Sequence, residues 1–357
     1  MAWVNIGMAR LASLRVGRPL ASPAAAVAWM GAVQAQEYPA AAWAIGLRAV
    51  GATAASVAHA LDTRDIVRTW ALRGTLHILA AEDVRWVLGL IGPGAMARLQ
   101  PYFRRFDMDS ATVTRCVDVI CRALQGGRQL TRKQLAAALE EAGQRTDLMA
   151  FLLYRAAAER LICIAGSSGP RDTYALLDEW LPPAPARSAD EALAELARRY
   201  VRSHGPATAH DFAWWSGLPV GQARAALAAA PQLACLKQDG ASYWHAPEEA
   251  DAPPTGGLWL LPGFDEFVVG YAERGAVLDE AQVRQIVQTN GIFNPAMVID
   301  GKVAGVWRRV GRKTRLELEL QPFAPLGEAQ RQAALAQVER YAAFVGMPAQ
   351  VRIGGEG

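Results

Sequence analysis

Cysteine is scarce in this chain. There are four among 357 residues, Cys116, Cys121, Cys163 and Cys235, with no CxxC pair and no histidine at metal-ligand spacing. That excludes a disulfide framework and the common zinc modules, and reduced thiols in cores are expected. Charge is also low, at 20% of residues, and nearly balanced: 37 Lys and Arg against 34 Asp and Glu leave a net +3. Hydrophobic residues at 52% exclude a disordered chain. No apolar run approaches the ~18 residues of a membrane span. The first residues lack the charged region, apolar core and cleavage site of an export signal. The default expectation is the cytoplasm, without membrane contact. There is no Walker loop, no GxGxxG between a strand and a helix and no GxSxG elbow. Phosphate cradling, dinucleotide binding and serine hydrolysis therefore have no foothold, and neither a metal nor a cofactor is expected.

What the chain does have is a recurring pattern. Its length is a prior for two or three domain-sized units. An Ala-rich apolar helix is expected over 22–33, with Ser22 as cap and Pro23 in the first turn, where a missing N–H is harmless. Pro39 then stops that helix or redirects the chain. Helices are expected at 42–50 and 53–61, followed by β segments at 66–70 and 74–79. Three helices followed by a β-ribbon make a winged-helix arrangement. The order returns with helices at 131–141, capped by Thr131, and 148–160, then strands at 161–165 and 173–177. Beyond the Pro-rich stretch 182–185 it returns again. There a helix is expected at 188–203, another ends near Trp215 and a third covers 220–229, before a hairpin at 233–237 and 242–245 around Asp239-Gly240. The last third reads as strands at 258–261, 267–271, 297–300, 303–309 and 315–320, then a helix at 326–345. The expected fold class is α+β. Three tandem winged-helix units would occupy 1–100, 101–181 and 182–250, and a small C-terminal β-barrel with a terminal helix would occupy 251–357.

Four stretches carry candidate chemistry. In Gln34-Ala35-Gln36 two amides flank one small residue. Each offers a carbonyl acceptor and an NH₂ donor, and residues two apart share a face where the chain is extended. Such a pair can orient a water without deprotonating it. That suits a leaving group already cationic, such as an N7- or N3-alkylated purine departing through an oxocarbenium-like state. The residues by themselves favour the plainer role of satisfying backbone groups at a helix terminus. In Arg73-Gly74-Thr75-Leu76-His77, the residues Arg73, Thr75 and His77 would share one strand face. They would either contact phosphates or lie in a half-buried strand with His77 satisfied internally. Asp265 and Glu266 sit in an apolar stretch, with Arg274 near enough in sequence to pair with one of them; a structural ion pair is expected. Finally, 302–315 is basic with no acid. Its residues Arg308, Arg309, Arg312 and Lys313 surround a hairpin tip, either a solvated edge or a DNA-backbone contact.

The string Gly31-Ala32-Val33-Gln34-Ala35-Gln36-Glu37-Tyr38 resembles the signature of the AlkZ/YcaQ-type DNA glycosylases. The resemblance continues through Arg68-Thr69-Trp70-Ala71-Leu72-Arg73-Gly74-Thr75-Leu76-His77, Gly205-Pro206-Ala207-Thr208, Asp211-Phe212-Ala213-Trp214-Trp215-Ser216-Gly217, Leu261-Pro262-Gly263-Phe264-Asp265-Glu266, Asp300-Gly301 and Gly305-Val306-Trp307. Each motif is loose, but their joint order from about 8 to 345 is specific. The resemblance implies three winged-helix units and a β-barrel around a DNA-binding concavity. It implies monofunctional excision of N-alkylated purines from double-stranded DNA, in some members from interstrand crosslinks. It makes Gln34 and Gln36 the catalytic pair; a monomer is the default for a protein that must wrap a duplex. Arg73, Thr75, His77, Arg308, Arg309, Arg312 and Lys313 are carried as DNA-contact candidates. The alternative is a non-catalytic winged-helix DNA-binding protein, a regulator or a genotoxin-resistance binder. The candidate recognition helices 53–61 and 220–229 are nearly uncharged, which favours modules used as scaffold over sequence readers.

Overall fold

The computed structural model describes residues 5–166, 172–185, 187–238, 240–247, 257–311 and 315–354. Its chain forms two compact units, one from 1–57 with 194–357 and one from 58–193.

The first unit opens with α1 (Ile6–Ser13), capped by Asn5, whose Oδ1 accepts from the Met8 N–H at 3.0 Å. Ser22 caps α2 (Pro23–Met30) as expected, its Oγ accepting from Ala25 N–H at 3.1 Å. The helix stops earlier than the apolar pattern because Gly31 takes φ 77°, which reverses the chain at little steric penalty. The two-residue strand β1 (Val33–Gln34) follows. Pro39 does not end a helix; it lies in the first turn of α3 (Tyr38–Gly46), where proline is tolerated. α4 (Ala54–Asp62) then leads into the second unit.

In that unit β2 (Ile66–Trp70) and β3 (Leu76–Ala80) form an antiparallel hairpin. The long α5 (Ala81–Arg105) follows, then α6 (Ser110–Leu124), β4 (Leu130–Thr131), α7 (Arg132–Glu141) and α8 (Met149–Ala158). The hairpin β5 (Ile162–Ala165) and β6 (Thr173–Leu176) and the short α9 (Leu177–Trp180) complete it. Thr131 and Gln134 close a reciprocal capping box on α7. Arg68 pairs with Ile164, so the two hairpins share a sheet. Beneath it lies a core of Phe103, Ile120, Leu135, Leu152, Ile162 and their neighbours. The Gly-Ser loop between β5 and β6 falls on 167–171, outside the described residues.

The chain returns to the first unit with α10 (Ala189–His204), α11 (Ala209–Ser216) and α12 (Val220–Ala229). The hairpin β7 (Ala234–Gln238) and β8 (Ala241–His245) follows; Asp239 of its turn lies outside the described residues. Next come β9 (Leu258–Leu261), α13 (Glu266–Val269) and α14 (Val283–Ile286). β10 (Ala296–Ile299), β11 (Lys302–Gly311), β12 (Leu316–Pro322), α15 (Glu328–Val345) and β13 (Ala349–Ile353) end the described fold.

Three further expectations are corrected. Residues 267–271 form no strand, because the Asp265 carboxylate accepts the Phe267 N–H at 3.0 Å and starts α13 instead. The 326–345 helix is not the last element: β13 follows it and pairs parallel with β12. The strand order β13-β12-β11-β10-β9 makes an open sheet of these strands, where a small barrel was expected. Its helix α15 presses Tyr341 and Phe344 onto Trp43, each with ring centroids 5.0 Å apart. The fold class is α+β. No helix among the described residues is long and apolar enough to cross a membrane.

The cysteines are free. Burial pushes the Cys163 thiol up to about 12 and that of Cys121 up to about 11, with Asp118 and Glu159 adding to the latter. Cys235 is exposed. A thiolate-selective disulfide reagent at pH 8 is therefore expected to titrate one thiol rapidly in the native protein and the rest on unfolding. Rapid release of two or more equivalents would contradict these environments.

Candidate active site

Gln34 is the last residue of β1, Ala35 is buried beside it, and Gln36 lies in a bend one residue before Glu37, the N-cap of α3. The pair therefore sits on a strand-to-helix connection, with Gln34 buried and Gln36 exposed. A buried strand end and an exposed amide beside it can place one polar group firmly and present another to solvent.

What holds this connection comes from far along the chain. The Gln34 backbone N–H donates to Glu266 Oε1 at 3.2 Å. Glu266, the first residue of α13, is 1% exposed. Its Oε2 accepts from Trp215 Nε1–H at 3.1 Å and faces His204 Nε2 at 3.3 Å. His204 Nδ1 in turn lies 2.8 Å from Ser203 Oγ. Burial pushes the phenols of Tyr200 and Tyr271 above their ordinary range. Both remain donors, Tyr200 to the Gly270 carbonyl at 2.9 Å and Tyr271 to the His204 carbonyl at 2.8 Å. A side chain at Gly270 would stand 2.6 Å from the Glu266 carbonyl oxygen and 2.8 Å from the His204 ring. Only glycine fits against this pair.

Two buried ion pairs frame the same region. Arg48 meets Asp265 through two parallel bonds, NH1 to Oδ2 and NH2 to Oδ1, both 2.9 Å. Arg10 donates to Asp211 Oδ2 at 3.3 Å and stacks 3.7 Å from the centre of the Tyr271 ring. Asp211 Oδ1 also accepts from the N–H groups of Ala272 and Glu273, each at 2.9 Å. The structural ion pair expected at Asp265 exists, but its cation is Arg48 and not Arg274, which donates to the carbonyls of Val268 and Ala272. Arg10, Arg48 and His204 carry no sequence signal of this role, and Asp211 and Trp215 are marked only as members of a resemblance motif. Their partners lie too far off in the chain for spacing to show them.

The DNA-contact candidates are divided between the units. Arg73 and Thr75 lie in the tight turn before β3, Arg73 at φ 56°, so they do not share a strand face with His77. His77 is buried, its Nδ1 3.0 Å from the Thr75 carbonyl oxygen. Arg308 and Arg309 are exposed on β11. Arg308 pairs with Glu319 across the hairpin. Arg312 and Lys313 lie outside the described residues. Among the described residues no group of His, Cys, Asp and Glu can hold a metal ion.

An α+β chain of helical modules bearing β-hairpins, with a strand-to-helix glutamine pair tied to a buried carboxylate, defines a particular class of polar site on a multi-module scaffold. Family comparison makes it specific. A model described as DNA glycosylase AlkZ-like matches residues 27–344, and the chain belongs to that family. The interstrand DNA cross-link repair glycosylase of Streptomyces sahachiroi is 27% identical over 317 residues, covering 82% of each chain. The solved structure of Streptomyces sahachiroi DNA glycosylase AlkZ matches with a TM-score of 0.82 over 99% of each chain at 24% identity, which establishes the shared fold.

Proposed function

We propose that this protein is a monofunctional DNA glycosylase that hydrolyses the N-glycosidic bond of N7- or N3-alkylated purines in double-stranded DNA, interstrand crosslinks included. The observation that supports it most is the pair Gln34 and Gln36 on a connection anchored through the Gln34 backbone to buried Glu266, within a chain of the DNA glycosylase AlkZ-like family. The proposed scaffold is three winged-helix modules followed by the five-stranded sheet with α15. The domains divide near 100, 181 and 250, and the protein acts as a cytoplasmic monomer without a cofactor.

In this reading the C1′–N9 bond breaks with its electron pair passing to N9. That neutralises the positive charge of the alkylated purine, so no strong acid is needed. The two glutamines hold a water against C1′; its oxygen bonds to the oxocarbenium-like carbon and its surplus proton passes to solvent. The amides act by positioning and by polar stabilisation of the developing charge. A substrate held by a covalent crosslink is attacked without the full extrusion that most base-excising enzymes require. Arg73, Thr75, Arg308, Arg309, Arg312 and Lys313 would hold the backbone, a salt-sensitive contribution that positions without reading sequence.

The test is single-turnover incubation with a duplex carrying one 7-methylguanine. The expected products are free 7-methylguanine and an intact strand that breaks only after alkali, since no lysine flanks the glutamines as an amine nucleophile. Strand cleavage without alkali would refute the monofunctional reading. Tight binding to one undamaged sequence, with no release from either this duplex or a crosslinked one, would favour the regulator.

A further inference from the structure

We infer that Glu266 is the positioning residue of the catalytic segment: its carboxylate fixes β1 so that the Gln34 and Gln36 amides face the reacting sugar. This rests on the catalytic assignment of the two glutamines proposed above.

Two N–H groups donate to this one carboxylate, the Gln34 backbone to Oε1 and Trp215 to Oε2, and the His204 Nε2 faces Oε2 at 3.3 Å. A backbone amide and an indole can only donate, and both oxygens of a carboxylate can only accept. No other side chain of this shape accepts at both ends. A glutamine in its place would turn an NH₂ against either the Gln34 N–H or the Trp215 N–H, leaving donors facing each other in a dry interior. Charge-assisted bonds of this kind are the stronger ones, and they fix geometry as well as contributing energy.

Glu266 is itself held rigidly. Asp265, its neighbour, is clamped by Arg48 and caps the Phe267 N–H. Gly270 leaves room for the His204 ring against Glu266. Trp215 and His204 come from α11 and α10, so one carboxylate gathers β1, α10, α11 and α13. Being 1% exposed, it does not reach the substrate; it acts through the backbone that carries Gln34. Water-orienting geometry tolerates little slack, and a displacement near an ångström is enough to slow such a step roughly 100-fold.

The test uses the full chain and a 7-methylguanine duplex in four forms: wild type, Glu266→Gln, Gln34→Ala, and both together. Single-turnover rate at saturating enzyme and Kd for an undamaged duplex are measured. Glu266→Gln is expected to slow the rate roughly 10-fold to 100-fold while Kd changes by less than about 2-fold. The double variant is expected to be no slower than Gln34→Ala alone, within about 3-fold, because both changes disable one unit. Equal loss of rate and binding, or losses that multiply, would overturn the inference and mark Glu266 as merely structural. A fast Glu266→Gln beside a slow Gln34→Ala would overturn it while leaving the glycosylase reading intact. A fast Gln34→Ala would overturn the catalytic assignment and this inference together. Should Glu266→Gln melt near the assay temperature, Glu266→Asp takes its place. It keeps an acceptor at both ends but withdraws it from the Gln34 N–H, and the same rate-without-affinity loss is expected.

Discussion

The Gln34→Ala, Gln36→Ala double variant is expected to lose at least roughly 100-fold, and up to about 10⁴-fold, of its single-turnover rate of 7-methylguanine release. Removing one preorganised polar group from a reacting centre commonly lowers a rate by two to three orders of magnitude. These two groups are proposed to act on one water, so their single losses should not multiply. The leaving group limits the effect. An alkylated purine departs readily even in water, so some release should persist. Binding to undamaged duplex should barely change, since phosphate contacts carry non-specific affinity and glutamines are neutral. Stability should change little as well. Gln36 is exposed, and the double variant keeps the Gln34 backbone contact to Glu266, so the loss is confined to truncation of one buried side chain. A double variant that releases 7-methylguanine at the wild-type rate would place the chemistry elsewhere in the molecule.

Local punctuation made much of the fold legible. Ser22-Pro23 announces α2 and Thr131 announces α7; the structure adds reciprocal boxes, Thr131 with Gln134 and Thr208 with Asp211. The strands β2 and β9 fall where alternation and apolar runs place them. Elements defined by tertiary contact were not visible. No helix is expected from the sequence over the range of α5, which holds Pro93, Pro101 and three glycines, and Gly92 is there because the Ala158 carbonyl oxygen would stand 2.5 Å from any side chain. The apolar run 267–271 looks like a strand; only the capped and clamped Asp265 makes it begin as a helix. Of the site, Gln34 and Gln36 were legible as a local motif, whereas their support was not. Gln34 and Glu266 are 232 residues apart, and Arg48 and Asp265 are 217 apart. Composition and spacing carry no trace of contacts at such separations.

Arg48→Met is expected to destabilise the unit that contains it by about 3–5 kcal/mol, read as the shift of its urea or thermal transition. The argument is one of desolvation. Arg48 and Asp265 are each 1% exposed in their side chains, joined by two bonds of 2.9 Å. The guanidinium also satisfies the Leu14 carbonyl at 2.8 Å and the Ala44 carbonyl at 2.9 Å. Methionine fills most of the volume, so the loss is not a cavity effect. Among the described residues it leaves a carboxylate in a dry interior with the backbone Phe267 N–H as the remaining partner of that side chain, and two carbonyls with fewer donors. Arg48→Lys should fall between, because an ammonium restores the charge without the fork. Replacing both residues with apolar ones should be less harmful than Arg48→Met alone, since no charge is stranded. A loss below about 1 kcal/mol for Arg48→Met would mean that water reaches Asp265 and that the clamp is not buried in solution. The consequence extends to the site. Asp265 starts α13 and Glu266 is its first residue, so loosening the clamp loosens the carboxylate that holds β1. Where Arg48→Met is still folded, its rate of 7-methylguanine release should fall as in Glu266→Gln, with affinity for undamaged duplex retained. Stability and catalysis would then be tied through two adjacent acids, one facing Arg48 and the other facing Gln34.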